Sequence, residues 1–176
     1  MATITGSTGS DSLTNGTSGA DTIATGAGDD YVQASGGSDS YVLGYRSSAQ
    51  YLRYGHGDFD TVDYRYVWNN LGLASATDVR IVADLQAGTV VKFGSAGTAL
   101  GTDTLVGVDR LYGTHGNDVL RGRDSWSYEQ FRGHGGNDTI DGRGGEDSAS
   151  YSSAGVAGIR VALAAGKVTS TDPDVG

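Results

Sequence analysis

The sequence predicts an all-β chain, a right-handed parallel β-roll in which two rolls are joined by a strand-pair insertion. Three observations predict it. A nine-residue unit of form G-x-x-G-x-D-x-U-x, with U apolar or small, recurs at 113–121, 133–141 and 142–150. A fixed nonapeptide period of this kind marks a parallel β-helix. The same coupling appears earlier: Asp11, Asp21, Asp30 and Asp39 follow one another at spacings of ten, nine and nine, with Gly9, Gly19, Gly28 and Gly37 two residues before them and Leu13, Ile23, Val32 and Tyr41 two residues after. Finally, 30 of 176 residues are glycine and one is proline, a backbone that turns often yet lacks the G-X-Y period of collagen.

Residues 1–60 form the first predicted roll. Glycines in each unit permit the positive φ values that wind a tight loop and let carbonyl oxygens point inward. The aspartate closes that loop, and the x-U-x triplet makes a short strand with U facing the interior. Two units then complete one turn of a flattened coil. The rhythm breaks after Gly44 and returns imperfectly at Gly55-His-Gly-Asp-Phe-Asp60, where Asp58 stands in the place of the second loop glycine. Aspartate tolerates the left-handed conformation, so the loop is expected to survive, with weaker cation binding at Asp60.

Residues 61–98 are the predicted strand-pair insertion. Thr61–Val67 alternates as a strand does, 68–77 reads as a loop, and Val79–Leu85 followed by Gln86–Val91 reads as a hairpin. Residues 99–151 form the second roll. Asp103 before Leu105 and Asp109 before Leu111 are rungs without a full glycine loop, while Glu129 takes an aspartate position and Phe131 the apolar one. That substitution is expected to weaken an ion between Asp118 and the next loop on its edge. Residues 152–176 begin a second strand pair: Ser148–Ser152 repeats Thr61–Arg65, and Ile159–Gly166 repeats Ile81–Gly88. The repeat stops short of its expected partner, so further sequence is expected beyond it.

The chemistry is bounded by charge. A net charge of −9 disfavours nucleic acid and anionic membrane surfaces, which need a basic footprint. Of the 21 acidic residues 19 are aspartate, the short carboxylate that suits tight turns and presents oxygens near the backbone. Hard oxygen ligands in turns fit Ca2+, which collects roughly six of them at about 2.3–2.6 Å, better than zinc or copper. There is no cysteine, so disulfides and thiolate sites are excluded. Met1–Gly6 lacks the basic and apolar regions of a cleaved signal peptide, and no run of 18 apolar residues predicts a membrane span.

No catalytic residue is predicted, and the chain is expected not to be an enzyme: there is no G-x-S-x-G, and the carboxylates already belong to loops. The adjacent Asp29 and Asp30 are the nearest thing to a glycosidase pair. His56, His115 and His134 sit in glycine loops without an H-E-x-x-H and read as exposed loop residues. Tyr45, Tyr51, Tyr54, Tyr64, Tyr66 and Trp68 cluster between the rolls, either as core and cap or as a platform for sugar rings. The glycosylation patterns at Asn15 and Asn137 read as loop residues.

These repeats resemble the RTX family, the hemolysin-type calcium-binding repeats of secreted bacterial proteins, over 6–43 and 101–151 and less closely over 55–65. The strand pairs are similar to those of serralysin-like proteases and mannuronan epimerases. The resemblance implies a module that binds several Ca2+ ions, leaves the cell through type I secretion machinery without a cleaved N-terminal signal, and folds outside. It implies metal ligands at Asp11, Asp21, Asp30, Asp39, Asp118, Asp138 and Asp147, in loops carrying Gly9, Gly19, Gly28, Gly37, Gly116, Gly136 and Gly145. A polysaccharide- or surface-binding adhesin module is the alternative, and a fragment of a carbohydrate-active enzyme the third reading.

Overall fold

The computed structural model describes residues 1–14, 16–44 and 58–150, together with the backbone of 158–162 and 167–168. Asn15, Tyr45, Tyr51, Tyr54 and His56 lie outside the described residues. Strands fall into two sheets. Sheet A runs, in spatial order, β1 (Thr3–Thr5), β3 (Thr22–Ala24), β5 (Ser40–Val42), β9 (Ala99–Val106), β8 (Thr89–Gly94), β7 (Val79–Asp84), β11 (Val119–Arg121), β13 (Asn137–Asp141) and β15 (Gly158–Ala162). Sheet B runs β16 (Lys167–Val168), β14 (Glu146–Ala149), β12 (Glu129–Arg132), β10 (Arg110–Tyr112), β6 (Thr61–Asp63), β4 (Tyr31–Gln33) and β2 (Ser12–Leu13).

Successive repeats therefore alternate between sheets, two units to a turn, and the chain is a parallel β-roll. Pairing is parallel except where β8 runs antiparallel to β7 and β9. This antiparallel group, β7 to β9, is the strand insertion and sits inside sheet A between the two runs of repeats, whereas Thr61–Asp63, expected within the insertion, is a parallel rung of sheet B. Sheet B passes from one run to the other through the parallel pairs β4–β6 and β6–β10. One strand does more than its sequence suggests. The body of β9 pairs with β8, and its end, Thr104–Val106, pairs in parallel with β5 and so supplies a rung of the roll.

In-register parallel pairing stacks like on like, and this builds the core. One column holds Ile4, Ile23, Tyr41 and Leu105. A second holds Leu13, Val32, Val62, Leu111, Phe131 and Ala149, and a third Ala83, Leu120 and Ile140. All are buried apart from Ile4 and Leu13, which are partly so. Full burial of each large apolar side chain stabilises by about 1.5–3 kcal/mol, so the columns, not strand length, hold three-residue strands together.

Residues 68–77, expected to be a loop, carry a short helix, α1 (Val67–Asn70), and a 3-10 turn at Ala76–Asp78. Ser75 caps the turn: its side chain accepts from the Thr77 N–H, while the Asp78 carboxylate accepts from the Ser75 N–H. Val67 is buried, and Trp68, Leu71 and Leu73 pack on the core, so this segment closes over the hydrophobic interior. No helix among the described residues is long and apolar enough to cross a membrane.

Candidate functional site

An acidic residue precedes most of the strand triplets, and parallel register brings these residues together along the edges of the roll. On the sheet B edge the Asp11 N–H donates to Asp30 Oδ1 at 2.9 Å, the Asp30 N–H to Asp60 Oδ1 at 2.9 Å, and the Asp60 N–H to Asp109 Oδ2 at 3.3 Å. Further along, the Glu129 N–H donates to Asp147 Oδ1 at 3.1 Å. On the sheet A edge the Asp21 N–H donates to Asp39 Oδ1 and the Asp39 N–H to Asp103 Oδ1, both at 2.9 Å. Beyond the insertion the Ile81 N–H donates to Asp118 Oδ1 at 2.7 Å and the Asp118 N–H to Asp138 Oδ1 at 2.9 Å. One oxygen of each of these accepting carboxylates thus ties a turn to its neighbour.

What the second oxygen meets depends on the residue four positions earlier. Where that residue is Ser or Thr, a hydroxyl donates to the carboxylate: Ser7 to Asp11, Thr17 to Asp21, Ser35 to Asp39 and Thr114 to Asp118. Where it is Gly26, His134 or Arg143, no hydroxyl is present. In those loops the Oδ2 atoms of Asp30, Asp138 and Asp147 are buried without a hydrogen-bond partner. A buried, unsatisfied carboxylate oxygen is costly, and three at equivalent places ask for a common positive partner.

The loops supply the rest of an oxygen cradle. Gly28 stacks on Gly9, Gly37 on Gly19 and Gly136 on Gly116, while Gly145 lies on the carbonyl of Ser127. At Gly136, φ is +92° and a Cβ would collide with the Gly116 carbonyl oxygen, so only glycine lets one turn's carbonyls approach the next so closely. At Gly133 a Cβ would collide with Asp138 Oδ2, so the unpartnered oxygen faces the space the glycine leaves open. Among the described residues no three His, Asp or Glu side chains converge as a cage. Carboxylates come in stacked pairs and the other nearby oxygens are main-chain carbonyls, a hard donor set that fits Ca2+.

Burial gives the ladders their electrostatics. It pushes the Asp60 carboxyl up to about 7 and Asp138 up to about 6. Asp147 rises to about 7 through burial and then the neighbouring Glu129 carboxylate. Asp118 is driven well above the carboxylate range, again first by burial. Without a cation these four carboxyls resist ionisation, and a divalent ion between the turns removes that resistance.

All seven predicted aspartates lie on these edges, as do Asp60, Asp103, Asp109 and Glu129. Asp58 also takes part: its carboxylate accepts from the Gly28 N–H at 3.1 Å. The Glu129 rung stands elsewhere than expected. It lies on the sheet B edge between Asp109 and Asp147, in register with Asp147, so Asp118 and Asp138 are direct neighbours on the other edge. Glu129 is met by the chain itself, with Arg123 Nη1 at 2.9 Å from Oε1. His134, expected to be an exposed loop residue, is buried edge-on to Tyr112, and burial lowers its pKa to about 4.

Sequence reasoning missed two things. One is the hydroxyl at the fourth position before the aspartate, visible only once the loop geometry is known. The other is Lys92, whose side chain is 0 % exposed with Nζ 2.5 Å from Asp103 Oδ1. Its signal was legible: in Val90-Val91-Lys92 a charged residue shares the inward face of a strand with Val90.

Residues 15–44, 105–126 and 129–149 match the family of RTX calcium-binding nonapeptide repeats, in four copies. No curated protein matches the chain. The matched segments contain Asp21, Asp30, Asp39, Asp118, Asp138 and Asp147, with the glycine loops that stack beneath them. The repeats of this family bind Ca2+, several ions across successive units, and the chain is a Ca2+-binding β-roll module of RTX repeats.

Proposed function

We propose that calcium ions lie between successive turns on both edges, held by Asp11, Asp21, Asp30, Asp39, Asp60, Asp118, Asp138 and Asp147 together with carbonyls of the loops carrying Gly9, Gly19, Gly28, Gly37, Gly116, Gly136 and Gly145. The observation that carries this reading is the trio of buried, unpartnered Oδ2 atoms on Asp30, Asp138 and Asp147. Calcium supplies the positive charge that lets stacked carboxylates ionise in the interior. Its binding free energy then becomes folding free energy, because the unfolded chain has no preformed loops.

The biological reading follows from that coupling. The module stays unfolded where calcium is scarce, passes outward through type I secretion machinery, and folds outside the cell, where it stabilises a larger secreted bacterial protein. It has no catalytic residue of its own. Its four sequence segments, 1–60, 61–98, 99–151 and 152–176, act as one calcium-linked unit. Far-ultraviolet circular dichroism during a calcium titration tests this: β signal should grow to a plateau by millimolar calcium. A spectrum unchanged from chelator to millimolar calcium would overturn the reading.

A second reading, binding of a polysaccharide or cell surface, draws support from Trp126, which is 93 % exposed beside Tyr128. Tyr128 meets Phe59 edge-on, and Arg110 stacks over the Phe59 ring at 5.0 Å. Trp68, by contrast, packs on the core. Glycan-array binding that disappears in Trp126→Ala while the calcium-loaded spectrum is unchanged would favour this reading; no glycan bound by the native chain would count against it.

A further inference from the structure

The inserted hairpin places a cation where the ladder would otherwise need an ion. Lys92 lies on β8 with its side chain wholly buried. Its Nζ is 2.5 Å from Asp103 Oδ1, 3.7 Å from Asp39 Oδ2 and 3.2 Å from the carbonyl oxygen of Ser35. Asp39 and Asp103 are successive rungs of the sheet A edge, and Ser35 belongs to the loop that Asp39 closes. Two stacked carboxylates and a loop carbonyl are the donor types that surround a calcium ion in such a roll. Here they surround an ammonium.

Hydroxyls of the chain complete the surroundings of the two carboxylates. Asp39 Oδ2 accepts from the Tyr41 hydroxyl and the Ser35 hydroxyl, each at 2.9 Å, and Asp103 Oδ2 accepts from the Tyr64 hydroxyl at 2.8 Å. This contrasts with Asp30, Asp138 and Asp147, where Oδ2 has no partner. Room for the lysine stem is provided opposite: Lys92 pairs with Gly101, where a Cβ would lie 3.4 Å from Lys92 Cε and collide with the Gly37 carbonyl. A bulkier residue at 101 would crowd the stem and the loop together.

We propose that the Lys92 ammonium is a tethered replacement for the metal ion between the Asp39 and Asp103 rungs, so that this step of the ladder takes no calcium. The roll is thereby held in register at the point where the insertion enters sheet A, and a covalently attached charge there cannot be chelated away. The fit is chemical: the ammonium donates to Asp103 Oδ1 and the Ser35 carbonyl and sets its charge 3.7 Å from Asp39 Oδ2, and it carries one positive charge in place of two, with tyrosine and serine hydroxyls meeting the oxygens a divalent ion would otherwise claim. Arg123 repeats the device at Glu129, with Nη1 on the carboxylate and Nη2 2.8 Å from the Val108 carbonyl oxygen.

The proposal rests on calcium occupying the other steps, and two measurements on the whole chain separate the ideas. The first counts bound ions with Tb3+ as a luminescent calcium probe, checked by elemental analysis after calcium loading. Lys92→Ala removes the ammonium and leaves space, so it should bind one more ion per chain than the native protein; an unchanged count overturns the proposal. The second is reductive methylation of the native, calcium-loaded protein read by peptide mass spectrometry. Lys92 and Lys167 are the chain's two lysines, so the signal is unambiguous. Lys92 should be at least tenfold slower to react than in the urea-unfolded chain, and equal reactivity overturns the proposal. The labelling needs no variant, so a Lys92→Ala chain that fails to fold still leaves a deciding result. A native chain that takes up no terbium at all would instead fail the calcium reading.

Discussion

Stripped of calcium, the chain should be more stable near pH 5 than near pH 7.5, and calcium should reverse that order. The sign follows from the ladders. Burial raises the folded-state pKa of Asp60 and Asp147 to about 7 and of Asp138 to about 6. In the unfolded chain an aspartate titrates near about 3.9. Between those values these carboxyls hold more protons in the folded state than in the unfolded one, and together they outweigh His134, whose pKa, lowered to about 4, contributes the opposite sign, so stability falls as pH rises through the window from about 4 to about 7. Below it both states are protonated and the penalty vanishes; above it the full cost of burying ionised carboxylates is present. A bound cation favours the ionised form, so the calcium-loaded chain should instead gain stability as pH rises and protons stop competing with the metal. The residual far-ultraviolet β signal in chelator and melting curves in millimolar calcium, each at the two pH values, check this. A residual metal-free β signal that rises from pH 5 to pH 7.5 would contradict the electrostatics described for the ladders.

The repeat period made the sheets legible because one constraint fixes both. In-register parallel stacking requires the same side chain type at the same place in every turn, and the aspartate-to-apolar offset shows that requirement directly, from Asp11 and Leu13 through Asp138 and Ile140. The internal duplication was legible for the same reason. Ile81 and Ile159 occupy equivalent register beside Asp118 and Asp138, where an aspartate would stand in a repeat, and so bound that short ladder on either side. Edge assignment was not legible. Two units make one turn, so neighbours in sequence lie on opposite edges, and the insertion and the bulkier Gly122–Arg132 segment shift which rungs meet. Only register shows that Glu129 adjoins Asp147 and leaves Asp118 beside Asp138. The double role of β9 escaped for a related reason: Gly101-Thr-Asp-Thr-Leu105 alternates equally well for an antiparallel partner and for a parallel rung. Lys92 escaped because its partners Asp39 and Asp103 come from segments that the sequence assigns to different rolls.

Lys92→Met should be the most destabilising single change in the roll among those that leave its loops intact. Methionine keeps an apolar stem of similar length and deletes the charge, so Asp39 and Asp103 remain stacked in the interior with no cation between them. Breaking a buried pair by removing one member costs about 3–5 kcal/mol, far more than the pair contributes when both members are present. Denaturant unfolding in saturating calcium should show a loss of that order, with the slope of the transition unchanged. Neutralising the partner should recover much of it: Lys92→Met with Asp103→Asn removes the uncompensated charge, and the amide oxygen that replaces the carboxylate can still accept from either the Asp39 N–H or the Tyr64 hydroxyl. The double variant should therefore be more stable than Lys92→Met alone, giving a coupling of about 0.5–3 kcal/mol across the cycle. Additivity of the two changes would mean that the ammonium does not sit between these carboxylates. Size makes a second distinction. Calcium should rescue Lys92→Ala, which leaves a cavity lined by two carboxylates and a carbonyl, and should not rescue Lys92→Met, whose thioether fills that cavity with no hard ligand. If both variants respond to calcium equally, the cation site lies away from Lys92, and the ladder step at Asp103 is held by its tyrosine hydroxyls alone.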